Sequence, residues 1–154
     1  MTNFRDLFEY NDWANQLVLK VTDELSDAEL QAPMDELGGS ALELLGHTAQ
    51  TEAGFLALLT GKMERPPRVT EYRGIRERFA ENSAGFLEKM PEFSGRLAER
   101  FLVPWFGREF TVEQGLTQVA THSVQHRAGV CAGIARAGKE APGLDYIQWL
   151  NVFR

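Results

Sequence analysis

The sequence predicts an all-α protein, a four-helix bundle with a small β-hairpin before the last long helix. Three observations predict it. Four long stretches carry apolar residues at steps of three and four, the period of a helix with one buried face. Two of these stretches open on capping boxes, Ser40-Ala-Leu-Glu43 and Thr111-Val-Glu-Gln114. There a hydroxyl oxygen accepts a backbone N–H at the helix start while the glutamate or glutamine reaches back to another. Residues 92–110 lose the helical period, and Phe101-Leu-Val-Pro-Trp-Phe-Gly-Arg-Glu-Phe110 reads as two short extended pieces around a turn near Gly107. Pro104 makes the first of them an edge or irregular segment.

In order along the chain, the first helix covers residues 3–25, with Phe4, Leu7, Phe8, Asn11, Ala14, Leu17, Val18, Val21 and Leu25 on one stripe. Asn11 is its polar exception, so it must meet a wet core or hydrogen-bond another buried group. Tyr10 and Trp13 flank the stripe, where packing is the commoner role and lining a cavity the alternative. Ser26, Pro33 and Gly38-Gly39 then break the helix, leaving room for one helical turn at residues 27–31.

The second long helix starts at the Ser40 cap, runs through Leu44, His47, Thr51, Phe55 and Leu58, and stops at Gly61. This places His47 well inside a helix on a largely apolar face. Residues 62–70 include Pro66-Pro67 and form an extended connection, able to span about 30 Å, so the third helix need not run antiparallel to the second. That third helix covers residues 72–90, with Ile75, Phe79, Phe86, Leu87 and Met90 inward and Pro91 ending it. The fourth continues to about Ala137, before Gly138, and carries Val119, His122, His126, Gly129, Val130 and Gly133 on one stripe. Its glycines weaken the helix but permit close approach of a neighbour or a ligand. The tail Leu144-Asp-Tyr-Ile-Gln-Trp-Leu150 is a short apolar segment that packs back on the bundle.

At 154 residues the chain fits one domain over residues 1–154 with a sizeable core. A net charge of −6 argues against nucleic acid as a partner, since phosphate neutralisation needs clustered Lys and Arg. No apolar run approaches the roughly 20 residues of a membrane span, and no secretory leader is visible, so the expectation is a cytoplasmic protein with no membrane partner. The single Cys131 cannot form an internal disulfide or a CxxC pair, and reads as a small packed residue rather than a reactive thiol. No phosphate-binding glycine loop and no nucleophile–base triad occur.

The chemistry concentrates on histidines. His122 and His126 lie four residues apart, a spacing that advances a helix by roughly 6 Å and returns to nearly the same face. His47 is the third and last histidine, and on a facing helix of a bundle it can join them. Three neutral imidazoles suit Zn(II), Ni(II), Fe(II) or Cu(II) and leave a coordination position for water or substrate. The spacing alone leaves two other readings open: a hydrogen-bonded core histidine and a half-exposed pH-sensitive pair. Glu52, five residues beyond His47, falls off its stripe and reads as surface charge. No general acid or base stands out.

Taken together, Tyr10-Asn-Asp-Trp-Ala-Asn15, Leu45-Gly-His47, His122-Ser-Val-Gln-His126-Arg127 and Asp145-Tyr-Ile-Gln-Trp-Leu150 resemble the DinB-like metal-dependent four-helix-bundle superfamily, which includes YfiT-like hydrolases and thiol-dependent transferases. The resemblance covers nearly the whole chain. It implies a second and third helix running pseudo-parallel, frequent homodimers, and a divalent metal on His47, His122 and His126, zinc or nickel first, then iron, manganese or copper. It further implies a small-molecule substrate, and transfer from a low-molecular-weight thiol such as bacillithiol or mycothiol to an electrophile. Hydrolysis by metal-bound water, or a non-catalytic metal-binding stress-response or interaction role, is the alternative. After Arg127 the family often continues with Gly and Gln where this chain has Ala128 and Gly129, so no role of that glutamine carries over.

Overall fold

The computed structural model describes residues 3–154. Its elements are α1 (Phe4–Thr22), α2 (Asp27–Leu30), a 3₁₀ turn (Asp35–Leu37), α3 (Ala41–Leu59), α4 (Tyr72–Gly95), β1 (Arg100–Val103), β2 (Arg108–Thr111), α5 (Val112–Arg136) and α6 (Tyr146–Phe153). Four long helices form the bundle, and the hairpin lies directly before α5.

The local signals act as expected. Ser40 Oγ accepts from Glu43 N at 3.2 Å while Glu43 Oε2 accepts from Ser40 N at 2.8 Å. Thr111 and Gln114 make the same exchange at 3.2 and 2.9 Å. Gly61 closes α3 in the left-handed region at φ +83°, where a side chain would be strained. The hairpin strands pair antiparallel from Arg100–Thr111 to Val103–Arg108. Pro104 falls in the turn beyond β1, where its missing N–H costs no ladder bond.

Pro91 does not end its helix. α4 continues through it to Gly95 because Met90 and Phe93 on either side are both buried, and the Phe93 ring packs 6.4 Å from Phe86. An interior proline costs about 3 kcal/mol, and each fully buried side chain of this size returns about 1.5–3 kcal/mol. Two such residues outweigh one proline.

Contacts set the helix directions. Ile75 meets Gly46, Asn82 donates to the Ala49 carbonyl, and Gly85 meets Leu56, so α3 and α4 run parallel. The connection between them makes this possible by returning along α3: Arg65 lies over Gly54, Pro66 O accepts from Gln50, and Val69 O faces Gly46. α5 runs antiparallel to α3, with Gly133 against Ala41 and Gly129 against Leu44. A Cβ on Gly129 would stand 2.7 Å from Leu44 Cδ1, so this glycine serves close helix approach. The tail packs back through Trp149, which is buried, and through the Tyr10 hydroxyl, which donates to the Leu144 carbonyl at 2.6 Å. Tyr10 thus packs against the tail, with Tyr146 and Trp149 edge-on to its ring.

The apolar core is divided. One cluster gathers Val18, Leu44, Leu45, Phe79, Val130 and Ile134; another gathers Phe8, Phe55, Phe86, Leu116 and Val119. On every long helix buried polar residues lie between those two sets: Asn11 and Asn15 on α1, Glu52 on α3, Asn82 on α4, Ser123 and Arg127 on α5. The bundle carries a polar layer across its middle.

Candidate metal centre

The rotation of α5 decides where its histidines point. Its buried positions are Leu116, Val119, Ser123, Arg127, Val130 and Ile134, at steps of three and four. His122 and His126 each precede a buried polar residue, so they turn about 100° off the core stripe. They are half-buried, and His47 on α3 is exposed. His47, expected on a largely apolar face, thus turns to solvent, and the histidines meet in a cleft between α3 and α5, at the edge of the polar layer.

There the sequence-predicted residues converge. His47 Nε2 and His122 Nε2 stand 3.0 Å apart, and one nitrogen from each of the three rings lies within 4.8 Å of the others. Two nitrogens on a tetrahedral zinc ion, each about 2.0–2.1 Å from it, stand about 3.3 Å apart, so this donor set can hold a divalent ion. Burial lowers the basicity of all three imidazoles. For His122, desolvation and then repulsion from His126 and His47 push the pKa down to about 4. Desolvation also lowers His126, with His47 adding to it, and lowers His47, where Arg68 and Arg65 add to it. Neutral imidazoles at neutral pH are what metal ligation requires. Among the described residues His122 Nδ1 is buried with no hydrogen-bond partner, so no acceptor there fixes that ring's tautomer.

Behind the histidines lies the residue that sequence reasoning misplaced. Glu52 is not a surface charge but 2% exposed, because α3 packs against both α4 and α5 and the side chain points to the bundle interior, where Asn11 and Asn15 of α1 reach it. Its Oε1 accepts from Ser123 Oγ at 2.8 Å, Asn11 Nδ2 at 2.9 Å and Asn15 Nδ2 at 3.3 Å, and Oε2 accepts from Asn82 Nδ2 at 3.4 Å. Arg127 completes the layer by donating from one amino group to Asn11 Oδ1 at 2.5 Å and Asn15 Oδ1 at 2.8 Å. Desolvation lowers the Arg127 pKa, while Tyr10 and Glu52 oppose it. Asn11 therefore does what its place on the apolar stripe demanded, joining two buried charges. The legible signal was this asparagine; its partners on α3 and α5 were not.

Cys131 is half-buried against the cluster of Val18, Leu44 and Ile134, and burial raises its thiol pKa, which suits a packed residue. Ala128 is exposed and Gly129 packs on Leu44, so neither offers a polar group beside the histidines.

Sequence reasoning also missed the cavity that adjoins the cluster. A cleft of about 480 Å³ between α3, α5 and the hairpin is lined by His47, His122, Thr51, Phe55, Trp105 and Phe110, among others. Its α5 wall is a ladder at steps of four, Gln114, Gln118 and His122, which spans about 12 Å. That spacing is present in the sequence. Only the hairpin folding over it makes it a wall.

A family model described as the DinB family matches residues 1–152. The chain belongs to the DinB family. Among its relatives, this DinB-family chain is 25% identical to Protein DinB of Bacillus subtilis (strain 168) over 158 aligned positions, covering 91% of this chain and 89% of that protein. The crystal structure of a DinB-like protein from Bacillus cereus ATCC 10987 superposes with a TM-score of 0.70 at 18% identity, covering 91% of this chain and 94% of that one. At that identity the likeness concerns the fold. Among the described residues no helix is long and apolar enough to cross a membrane.

Proposed function

We propose that this DinB-family chain is a metalloenzyme that binds a divalent metal, zinc or nickel, on His47, His122 and His126 and transfers a low-molecular-weight thiol to an electrophilic small molecule. The observation that carries the reading is the convergence of three neutral imidazoles at the wall of a cavity large enough for a small substrate. A metal bound there supplies a Lewis acid that lowers the pKa of a thiol or water. The chain's own contribution is to hold the ligands neutral, to exclude water with Phe55, Trp105 and Phe110, and to orient the substrate by the amides of Gln114 and Gln118.

Transfer is favoured over hydrolysis by the cavity lining, which contains no Asp, Glu, Lys or Tyr to protonate a leaving group. The nearest buried carboxylate, Glu52, is occupied by four donors in the polar layer. The test is metal analysis of the native protein, followed by incubation of zinc- and nickel-loaded protein with bacillithiol, mycothiol and several electrophiles. The expected result is about one metal per chain and loss of electrophile that requires the thiol. Loss independent of thiol would establish hydrolysis instead, and metal without any turnover would establish a non-catalytic role.

A further inference from the structure

The cleft beside the histidines has an unusual charge pattern for an acidic protein. It contains no carboxylate, and with its histidines neutral its one charged side chain is Arg65. The guanidinium carbon of Arg65 lies 3.4 Å from the centroid of the Trp105 ring. Stacking of this kind uses the face of the guanidinium and leaves its edge of N–H donors free, the geometry that receives a carboxylate in two parallel hydrogen bonds. Among the described residues Arg65 makes no ion pair and no side-chain hydrogen bond, so those donors are unspent.

One polar group of the α5 wall, Gln114, is also biased towards donation. The Gln114 oxygen is taken by the Thr111 backbone in the helix cap, which leaves its NH₂ to face a ligand. Four of the other lining side chains are aromatic: Phe55, Trp105, Phe106 and Phe110. Trp105 stands 6.0 Å from Phe55, Phe106 stands 6.1 Å from Phe110, and Trp105 and Phe106 at the hairpin tip are 37% and 66% exposed. A tight turn ordinarily carries polar residues, and two large rings left in water there represent apolar area that a flat ligand would cover. A cationic ligand is disfavoured twice, by Arg65 itself and by Arg65 already occupying the Trp105 face.

We infer that the cleft between α3, α5 and the hairpin is a binding site for a flat aromatic anion, a ring-bearing molecule with a carboxylate or similar group. Its ring lies among Phe55, Trp105, Phe106 and Phe110, and its anion on the edge of Arg65. The site deepens the function proposed above and rests on it for the reaction, but its binding selectivity rests on the cavity alone.

The experiment uses three molecules of one shape, cinnamate, cinnamyl alcohol and cinnamylamine, titrated calorimetrically into the full chain treated with chelator, so that no carboxylate–metal bond contributes. Cinnamate should bind at least about tenfold more tightly than cinnamylamine, as expected for one charge-assisted contact. R65Q should remove that preference. R68Q, the same charge change on an arginine outside the cleft, should keep it. W105A should weaken all three ligands together. Equal binding of cinnamate and cinnamylamine, or a preference that survives R65Q, overturns the inference. Zinc binding is titrated separately on the same preparations: selective cinnamate binding with no zinc binding sinks the metal reading alone, and zinc binding without the selectivity sinks this site alone.

Discussion

Ser123 on α5 donates to Glu52 on α3 at 2.8 Å, one residue from His122. That bond ties the rotation of α5 to the polar layer: while Ser123 and Arg127 face inward, His122 and His126 must face the cleft and His47. The structural layer and the candidate metal centre are two faces of the same two turns of helix.

Removing the carboxylate should therefore cost stability. Glu52→Leu leaves three amides and a hydroxyl without their acceptor and strands the Arg127 charge, so a loss of about 3–5 kcal/mol is expected. Urea denaturation should show the midpoint falling with the slope unchanged. The double variant Glu52→Leu with Arg127→Met should cost less than the two single changes summed, because the second removes the charge that the first leaves uncompensated.

Metal retention should depend on each histidine. His122→Ala should abolish high-affinity zinc or nickel binding, read as metal per chain after gel filtration, while the far-UV circular dichroism stays helical. Unchanged metal content would sink the ligand assignment. His47→Ala should act similarly despite the exposure of His47, since that ring alone brings a donor from α3.

Acid should act through His122 in a defined window. Its folded-state pKa is about 4, below the ordinary 6.5, first from burial and then from its histidine neighbours. The unfolded chain thus takes up the proton first. For the metal-free protein, this residue's contribution to stability is complete above pH 6.5 and is lost as the pH falls towards about 4. The same low basicity weakens proton competition for a metal, so zinc release followed with a chromophoric chelator should have its midpoint within that window. Zinc retained independently of acid would contradict histidine ligation.

Pro91→Ala should stabilise the protein. It restores the missing hydrogen bond inside α4, where an interior proline costs about 3 kcal/mol, and gives back about 1 kcal/mol of unfolded-chain entropy. A net gain of about 1–2 kcal/mol is expected in thermal or urea unfolding. A loss would show that α4 needs the proline for its path around Phe93.

Much of the fold was legible because its signals are local. Capping boxes at Ser40 and Thr111, the stop at Gly61 and the hairpin around Gly107 each depend on a few adjacent residues, and each is formed as read. Pro91 was misread because its local penalty is real but is overruled by the burial of Met90 and Phe93, which depends on partners far along the chain. The three histidines were legible through their spacing and the order of segments around them. Arg65, Trp105 and Gln118 were not, since nothing in the chain order marks a loop, a hairpin tip and a helix face as neighbours.

By itself, then, the sequence determined the four helices, the hairpin and the identity of the three imidazoles that meet, because helical period, caps and turns are short-range properties. Only the tertiary structure decided that the imidazoles meet in a cleft rather than the core. It alone made Glu52 a buried hub and laid Arg65 over Trp105. The physical reason is the same in each case: a residue's face on its helix is set by period, but whether that face is covered depends on which neighbours pack there.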